Sequence, residues 1–227
     1  MTEAALADWS TAAIDPRLGA GLAFVEKLTL YPQQVGVEDI AKLCWAGVKG
    51  DAVLDVIVIC AGFNIIDRVA DAFDFEIPPT GEFVKGARFL LRFGYRLCSG
   101  LRFSRSPHMR PKGRLDFYEN GMNRLRDKVL SGAGALAPCI RRAAAESTNL
   151  PEPLGTYVGK VAHRAYTVTD DDIMDLYKAH YSEDQIFEAT ISAAVGAGLV
   201  RFQSGIAAFQ ASTKQPTSIE RTMQPAR

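Results

Sequence analysis

The sequence predicts an all-α protein made of two related helical units, and three observations support this prediction. Apolar residues recur at helical spacing, and no segment alternates convincingly with period two. Capping signals stand directly before several of the apolar runs. Residues 25–68 also match residues 158–201 without a gap at a constant offset of 133, with identical pairs that include Asp39/Asp172 and Arg68/Arg201. The offset is far longer than a solenoid period, so we expect duplicated helical units.

The second unit shows its elements most clearly. A first helix is expected from Leu154 to Arg164, and Thr169 with Asp172 three residues later forms a capping box that opens the next helix. Residues 182–185 ("SEDQ") form a second capping box, which begins the longest helix, expected to end near Phe209.

The first unit repeats this plan. Its long helix is expected from Asp51 to Phe73 and contains the run "VIVICAGFNII". This run is apolar on nearly all sides, which predicts a central helix.

Turn-forming residues divide the rest of the chain. Breaks at 77–82 ("IPPTGE") and 147–153 ("STNLPEP") predict loops, and two further helices are expected, from Leu115 to Leu130 and from Ala137 to Glu146. We therefore divide the chain into a first unit (1–80), a basic aromatic connector (81–114), a second unit (115–211) and a disordered polar tail (212–227).

Composition indicates a globular cytoplasmic protein. The 26 basic residues equal the 26 acidic residues, which gives no global bias toward nucleic acid or an anionic membrane. The first residues, "MTEAALADWSTAAIDPR", include acids and no long apolar core, so no secretory signal is expected. The most apolar run has 11 residues and is too short to span a bilayer. The four cysteines form no C-x-x-C motif and are expected to be buried free thiols.

Two stretches resemble a known superfamily. The first is "FNIIDRVADAF" (63–73), with the capped helix before it, and the second is "YSEDQIFEATISAAVGAGLVRFQSGIAAF" (181–209), with residues 150–173 before it. Both are similar to the alkylhydroperoxidase D-like, or carboxymuconolactone decarboxylase, superfamily. The resemblance implies an all-helical, homo-oligomeric protein and covers somewhat over half of the chain. It leaves both peroxidase and decarboxylase chemistry open.

The redox motif of that superfamily is missing. Its redox members carry C-x-x-C-x-x-x-H, and the corresponding second-unit positions hold Ala165, Val168 and Asp172. The corresponding positions in the first unit are 32, 35 and 39, and they also hold neither cysteine nor histidine. A thiol peroxidase needs a thiolate to attack the peroxide and a second thiol to resolve the product. The resemblance therefore implies the fold without the peroxidase activity.

Four residues form the expected site if the protein binds a small organic acid. Arg201 is expected to bind the carboxylate, because its planar fork suits that group and no acid lies beside it in sequence. His163 and Asp172 are expected to transfer protons, and Tyr166 is expected to line the site. The alternative for Asp172 is a helix-capping acid, and the alternative for the arginines is an ion pair. No cofactor or metal is expected, since the three histidines show no ligand spacing.

The connector and two helix features allow two interpretations each. Residues 84–114 contain nine Lys or Arg, no acid and interleaved aromatics. This composition suits either binding of nucleic acid or docking on acidic surfaces of the same protein, such as 67–74 and 170–172. We favour docking. The small residues of "SAAVGAG" (192–198) indicate close helix packing or a ligand against the backbone, and we favour packing. The polar row Asn64, Asp67, Arg68 and Asp71 either lines a cavity or faces a partner.

The expected function is therefore binding of a small organic acid or related metabolite, with non-redox acid–base chemistry of a lyase or isomerase kind if the protein is an enzyme. The alternative is a non-catalytic oligomeric scaffold, or a partner of a companion peroxidase. In either case we expect a homo-oligomer that engages neither membrane nor nucleic acid.

Overall fold

The structure is a computed structural model that describes residues 7–76, 81 and 113–214. Within these residues all regular structure is helical, as predicted, and no strand is present. The α-helices are α1 (Pro16–Leu30), α2 (Val37–Trp45), α3 (Asp51–Ala72), α4 (Arg114–Ser131), α5 (Pro138–Glu146), α6 (Leu154–Arg164), α7 (Asp170–Lys178) and α8 (Glu183–Lys214). Two single 3₁₀ turns, Pro32–Gln34 and Ala165–Thr167, precede α2 and α7.

The predicted helix boundaries agree closely with the observed ones, and both capping boxes form. Asp172 accepts a hydrogen bond from the backbone N–H of Thr169, and Ser182 and Gln185 bond each other's backbone N–H groups reciprocally. The last helix continues to Lys214, five residues beyond its predicted end. The tail from 215 and almost all of the connector (81–114) lie outside the described residues.

The elements of the two units also agree at the offset of 133. The 3₁₀ turn Pro32–Gln34 corresponds to Ala165–Thr167, and α2 corresponds to α7, in each case to the residue. Helix α3 begins one residue after the position that corresponds to the start of α8. That this agreement arose by duplication stays a prediction.

Helices α3 and α8 pack antiparallel at the centre of the described protein. A Cβ atom on Gly198 would lie 2.8 Å from the carbonyl oxygen of Ala61, and one on Gly205 would lie 2.8 Å from Ile57 Cγ2. Neither distance is compatible with a side chain, so the missing Cβ atoms let the two backbones approach. Close packing therefore explains the small residues of α8, as favoured from the sequence.

Two apolar clusters flank this helix pair, one for each unit. The first contains Phe24, Leu28, Ile40, Leu43 and Ile57, with Phe202 from α8. The second contains Leu154, Tyr157, Val161, Leu176 and Ile186, with Ala72 from α3. Each long helix thus contributes to the core of the other unit, which couples the two units energetically.

Helix α3 is central, as predicted, but one side of it is open to solvent. Ile59, Phe63 and Ile66 are 57%, 58% and 61% exposed, because α8 covers only the opposite face of the helix. Helix α8 is the more deeply buried of the two. By length and composition alone α8 could cross a membrane, but 67% of its most apolar window is buried inside the protein, as in the core helix of a bundle.

Candidate functional site

Asp172 caps a helix and pairs with a lysine. Its Oδ2 accepts hydrogen bonds from the N–H and hydroxyl of Thr169 at 2.9 and 3.0 Å, and Lys160 Nζ lies 2.6 Å from Oδ1. Burial raises the pKa of this carboxyl, but the bonds from Lys160 and Thr169 outweigh burial and lower the pKa overall. Asp172 is therefore ionised at neutral pH and is a weak base, which supports the capping alternative over proton transfer.

Asp39 makes the same contacts in the first unit. Its Oδ2 accepts from the Gly36 N–H at 2.9 Å and from Lys27 Nζ at 2.7 Å. Lys27 and Lys160 are themselves related by the offset of 133. The matching positions of the two units therefore hold an aspartate that caps a helix and pairs with a lysine.

Arg201 reaches from α8 across to the first unit. Its Nη2 donates to the carbonyl oxygen of Thr29 at 2.9 Å, and Nη1 donates to Ala197 O at 3.0 Å. Thr29 lies in the last turn of α1, where carbonyl groups lack helical partners. Burial, followed by repulsion from Arg68, lowers the pKa of Arg201 to about 10, so the side chain stays charged at neutral pH. Its buried Nε has no hydrogen-bond partner.

Arg68 makes the mirror contact from α3. Its Nε donates to the carbonyl oxygen of Ala162 in the last turn of α6 at 2.9 Å, and Nη1 donates to the side-chain oxygen of Asn64 at 2.8 Å. Thr29 and Ala162 are related by the same offset of 133. Across the described ranges neither arginine has a carboxylate within 4 Å. Both arginines cap helix C-termini there, and neither forms the ion pair that was the alternative from the sequence.

A small polar cluster lies beside the arginines. Asn64 Nδ2 donates to the hydroxyl oxygen of Thr29 at 3.1 Å and to the backbone oxygen of Cys60 at 2.9 Å. The Thr29 hydroxyl lies 3.4 Å from Cys60 Sγ. Burial raises the pKa of the Cys60 thiol. The thiol is therefore protonated at neutral pH and a poor nucleophile.

The remaining two predicted site residues are exposed. His163 lies near the C-terminal end of α6, and Tyr166 is 74% exposed in the following 3₁₀ turn. No hydrogen bond joins His163, Tyr166, Asp172 and Arg201 to one another in the residues described. The assignment of these four as one site stays a prediction. Tyr166 lines an open groove, which the sequence did not predict.

We call this feature the acid–aromatic groove. It has a volume of about 1190 Å³ and lies where the end of α3 meets the turn before α7 and the start of α8. Phe73 and Phe187 stack across it with ring centroids 5.7 Å apart. Burial, and then the Asp71 carboxylate, raise the pKa of Asp67 in its wall. Its carboxylates are Asp67, Asp71, Asp74, Asp170, Glu183 and Asp184, and its aromatic side chains are Phe73, Phe75, Tyr166, Tyr177 and Phe187.

Helix α3 carries a second surface feature, which we call the outer row. It consists of Ile59, Phe63, Ile66 and Ala70, together with Phe73, the residue directly after the helix. The spacing of four, three and four residues places the first four on one side of the helix, and Phe73 continues the row. The first three are more than half exposed, and the last two line the groove. The outer row therefore runs from the middle of α3 into the groove.

The sequence contained the signal for the outer row, but apolar residues on all sides of α3 concealed it. The polar row of α3 divides into two environments. Asn64 and Arg68 belong to the small polar cluster described above, whereas Asp67 and Asp71 line the groove.

No group of His, Cys, Asp and Glu side chains suited to a metal ion is present in the part of the chain that the structure describes. Comparisons with protein-family models, curated proteins and solved structures gave no match.

Proposed function

We propose that this protein is a non-catalytic scaffold that assembles with copies of itself through the outer row of α3. The observation that carries this proposal is the exposure of Ile59, Phe63 and Ile66 at heptad spacing on a helix whose opposite face is fully packed. Isolated apolar side chains are common on protein surfaces, but a regular row on one helix is typical of a helix–helix interface.

The energetics favour covering the outer row. Fully burying one such side chain contributes about 1.5–3 kcal/mol, so three or four of them offset a substantial part of the entropy lost on association. A second copy presents the same row, and the row is complementary to itself because apolar side chains at heptad spacing interdigitate. Self-association is therefore the simplest arrangement that covers it.

The engagement of the candidate catalytic groups supports a scaffold rather than an enzyme. Asp172 begins α7 and Arg201 caps α1, so both side chains serve the helices that they join. Cys44, Cys60 and Cys139 carry free thiols, which supports placing the assembly in a reducing compartment such as the cytoplasm.

The direct test measures molar mass by light scattering after gel filtration for the wild type, Phe63→Glu and Met174→Glu. Met174 is an exposed apolar residue on α7 outside both surface features, and it serves as the matched control. We expect an oligomer for the wild type and for Met174→Glu, and a monomer with unchanged circular dichroism for Phe63→Glu. An unchanged oligomer in Phe63→Glu would remove the outer row from the interface.

One observation favours a second function, binding of a small organic acid. Arg201 carries a desolvated charge that is repelled by Arg68, and its Nε has no partner, so a carboxylate placed there would gain a charge-assisted bond. In this alternative His163 and Asp172 would transfer protons and Tyr166 would line the entrance. A thermal-shift screen with small carboxylates on wild type and Arg201→Lys tests it: stabilisation present in the wild type and lost in the variant would support this alternative.

A further inference from the structure

We propose that the acid–aromatic groove binds the connector of the same chain, residues 84–112. This inference concerns the groove, which shares Ala70 and Phe73 with the outer row, and it does not depend on self-association. Three features support it: the charge of the groove, the composition of the connector, and the points at which the chain leaves and re-enters the described structure.

The groove carries an excess of negative charge. Six carboxylates line it, and no lysine, arginine or histidine is among its lining residues. None of the six forms an ion pair with a cation in the described ranges. Arg68 lies close enough to attract Asp67 and Asp71, but its guanidinium hydrogen-bonds toward Ala162 and Asn64. A cationic occupant would relieve the mutual repulsion of the carboxylates.

The groove also offers aromatic faces, which determine what kind of cation suits it. Guanidinium groups stack on aromatic rings while bonding carboxylates, so an arginine side chain can use both kinds of group in this groove at once. The matching occupant is therefore a peptide that carries both arginine and apolar or aromatic side chains.

The connector has this composition. Residues 84–112 contain eight Lys or Arg and no Asp or Glu. Arg88, Arg92 and Arg96 recur at four-residue spacing, and Phe89, Phe93 and Tyr95 lie between and beside them. The whole chain has no net charge, so the excess of cations here balances acids elsewhere, and the groove holds a dense group of those acids.

The path of the chain brings the connector to the groove. Phe75 lines the groove, and the described chain stops at Glu76, the next residue. Apart from residue 81, the described chain resumes at Gly113, and Arg114 Nη1 pairs with Asp55 Oδ2 at 2.6 Å, near the other end of α3. Helix α3 is about 33 Å long, at 1.5 Å per residue. Residues 77–112 span far more than that when extended, so the connector can enter the groove and still return.

Tethering strengthens this choice of occupant. A segment joined to the groove by a few residues has an effective concentration in the millimolar range, which a free peptide seldom reaches. A nucleic acid is disfavoured at this site, because its phosphates would face six carboxylates. A free basic peptide would have to displace the tethered connector.

The test follows chymotrypsin cleavage of the full chain after Phe103 by mass spectrometry. We compare the wild type with Asp71→Lys/Asp74→Lys in the groove and with a control, Asp127→Lys/Glu146→Lys. The control makes the same charge change at exposed acids outside the groove. We expect cleavage to be about tenfold or more faster in the groove variant than in the wild type and the control, because an undocked segment is open to the protease. Salt should accelerate wild-type cleavage, because it screens the attraction.

A charge exchange makes the test specific. Arg92→Glu/Arg96→Glu should also speed cleavage after Phe103, and combining it with Asp71→Lys/Asp74→Lys should restore slow cleavage. Equal rates in the wild type and the groove variant would overturn the proposal. Protection that disappears on dilution, or in the monomeric Phe63→Glu background, would assign the groove to the connector of a second copy instead. The groove variant should keep the wild-type molar mass. The cleavage rate therefore tests connector docking, and the molar mass separately tests self-association.

Discussion

Arg201 donates a hydrogen bond from Nη2 to the carbonyl oxygen of Thr29 over 2.9 Å, across 172 residues of sequence. The bond ties the long helix of the second unit to the last turn of the first helix of the other unit. Arg68 makes the corresponding bond to Ala162 in the opposite direction. Together the two arginines hold the two units against each other, and both helix termini gain a positive charge where the helix dipole favours one.

Replacement of Arg201 should therefore destabilise the fold. Arg201→Ala leaves the carbonyl oxygens of Thr29 and Ala197 without this donor, which we expect to lower the free energy of unfolding by about 1–3 kcal/mol. Arg201→Lys should recover only part of the loss, since one ammonium group cannot reproduce the two-armed fork. Urea unfolding measures both values. Arg124→Ala, on the exposed side of α4, is the control and should change little.

Gly198→Ala should destabilise the protein although alanine is the better helix former. The new Cβ atom would lie 2.8 Å from the carbonyl oxygen of Ala61 and also press on Ile65, which forces α3 and α8 apart. The matched control is Gly159→Ala in α6, where a Cβ atom meets nothing within 4 Å. There we expect stabilisation by about 0.5–1 kcal/mol. Thermal unfolding should thus show a lower melting temperature for Gly198→Ala and a higher one for Gly159→Ala. A stabilising Gly198→Ala would contradict the packing described.

The Lys160–Asp172 pair should contribute stability that acid removes. The pKa of Asp172 is lowered in the folded state, so the carboxylate stabilises the fold above its ordinary pKa of 3.8, and this contribution is lost as pH falls through the folded pKa. We expect Lys160→Met to lower the free energy of unfolding by about 1–2 kcal/mol at pH 7. This difference should shrink below about pH 3.8. The exposed Lys178–Asp175 pair supplies the control, and Lys178→Met should have a much smaller effect.

Thiol reactivity should separate Cys60 from Cys139. Cys60 is buried and burial raises its pKa, whereas Cys139 is exposed. An alkylating reagent followed by peptide mapping should therefore modify Cys139 in the native protein and Cys60 only after unfolding. Rapid native modification of Cys60, coupled to turnover of a peroxide, would reinstate thiol chemistry.

Local sequence signals predicted the elements well because their causes are local. The Thr169 and Ser182 capping boxes and the helical spacing after them fixed the starts of α7 and α8 to within a residue. The pairing of Arg201 with Thr29 could not be predicted, since it depends on which helix end the fold brings opposite a side chain. The constant offset did mark Arg201 and Asp172 as special, but it could not separate a structural role from a catalytic one.

The two surface features depended on tertiary structure in different ways. In α3 the sequence shows apolar residues around the whole helix, and only the position of α8 decides that Phe63 faces outward. The groove combines residues from three separate segments, so no single stretch of sequence reveals it. Even so, the acids at 67–74 and 170–172 were expected to receive the connector, and many of them line this groove.

The most direct test of the central claim is sedimentation equilibrium of the full chain over a range of protein concentrations, with Phe63→Glu measured alongside. Self-association through the outer row predicts a wild-type mass that is a multiple of the chain mass, and a Phe63→Glu mass equal to one chain. A wild type that sediments as one chain at every concentration would contradict the account, and the Arg201-dependent binding of organic acids would then be the leading alternative.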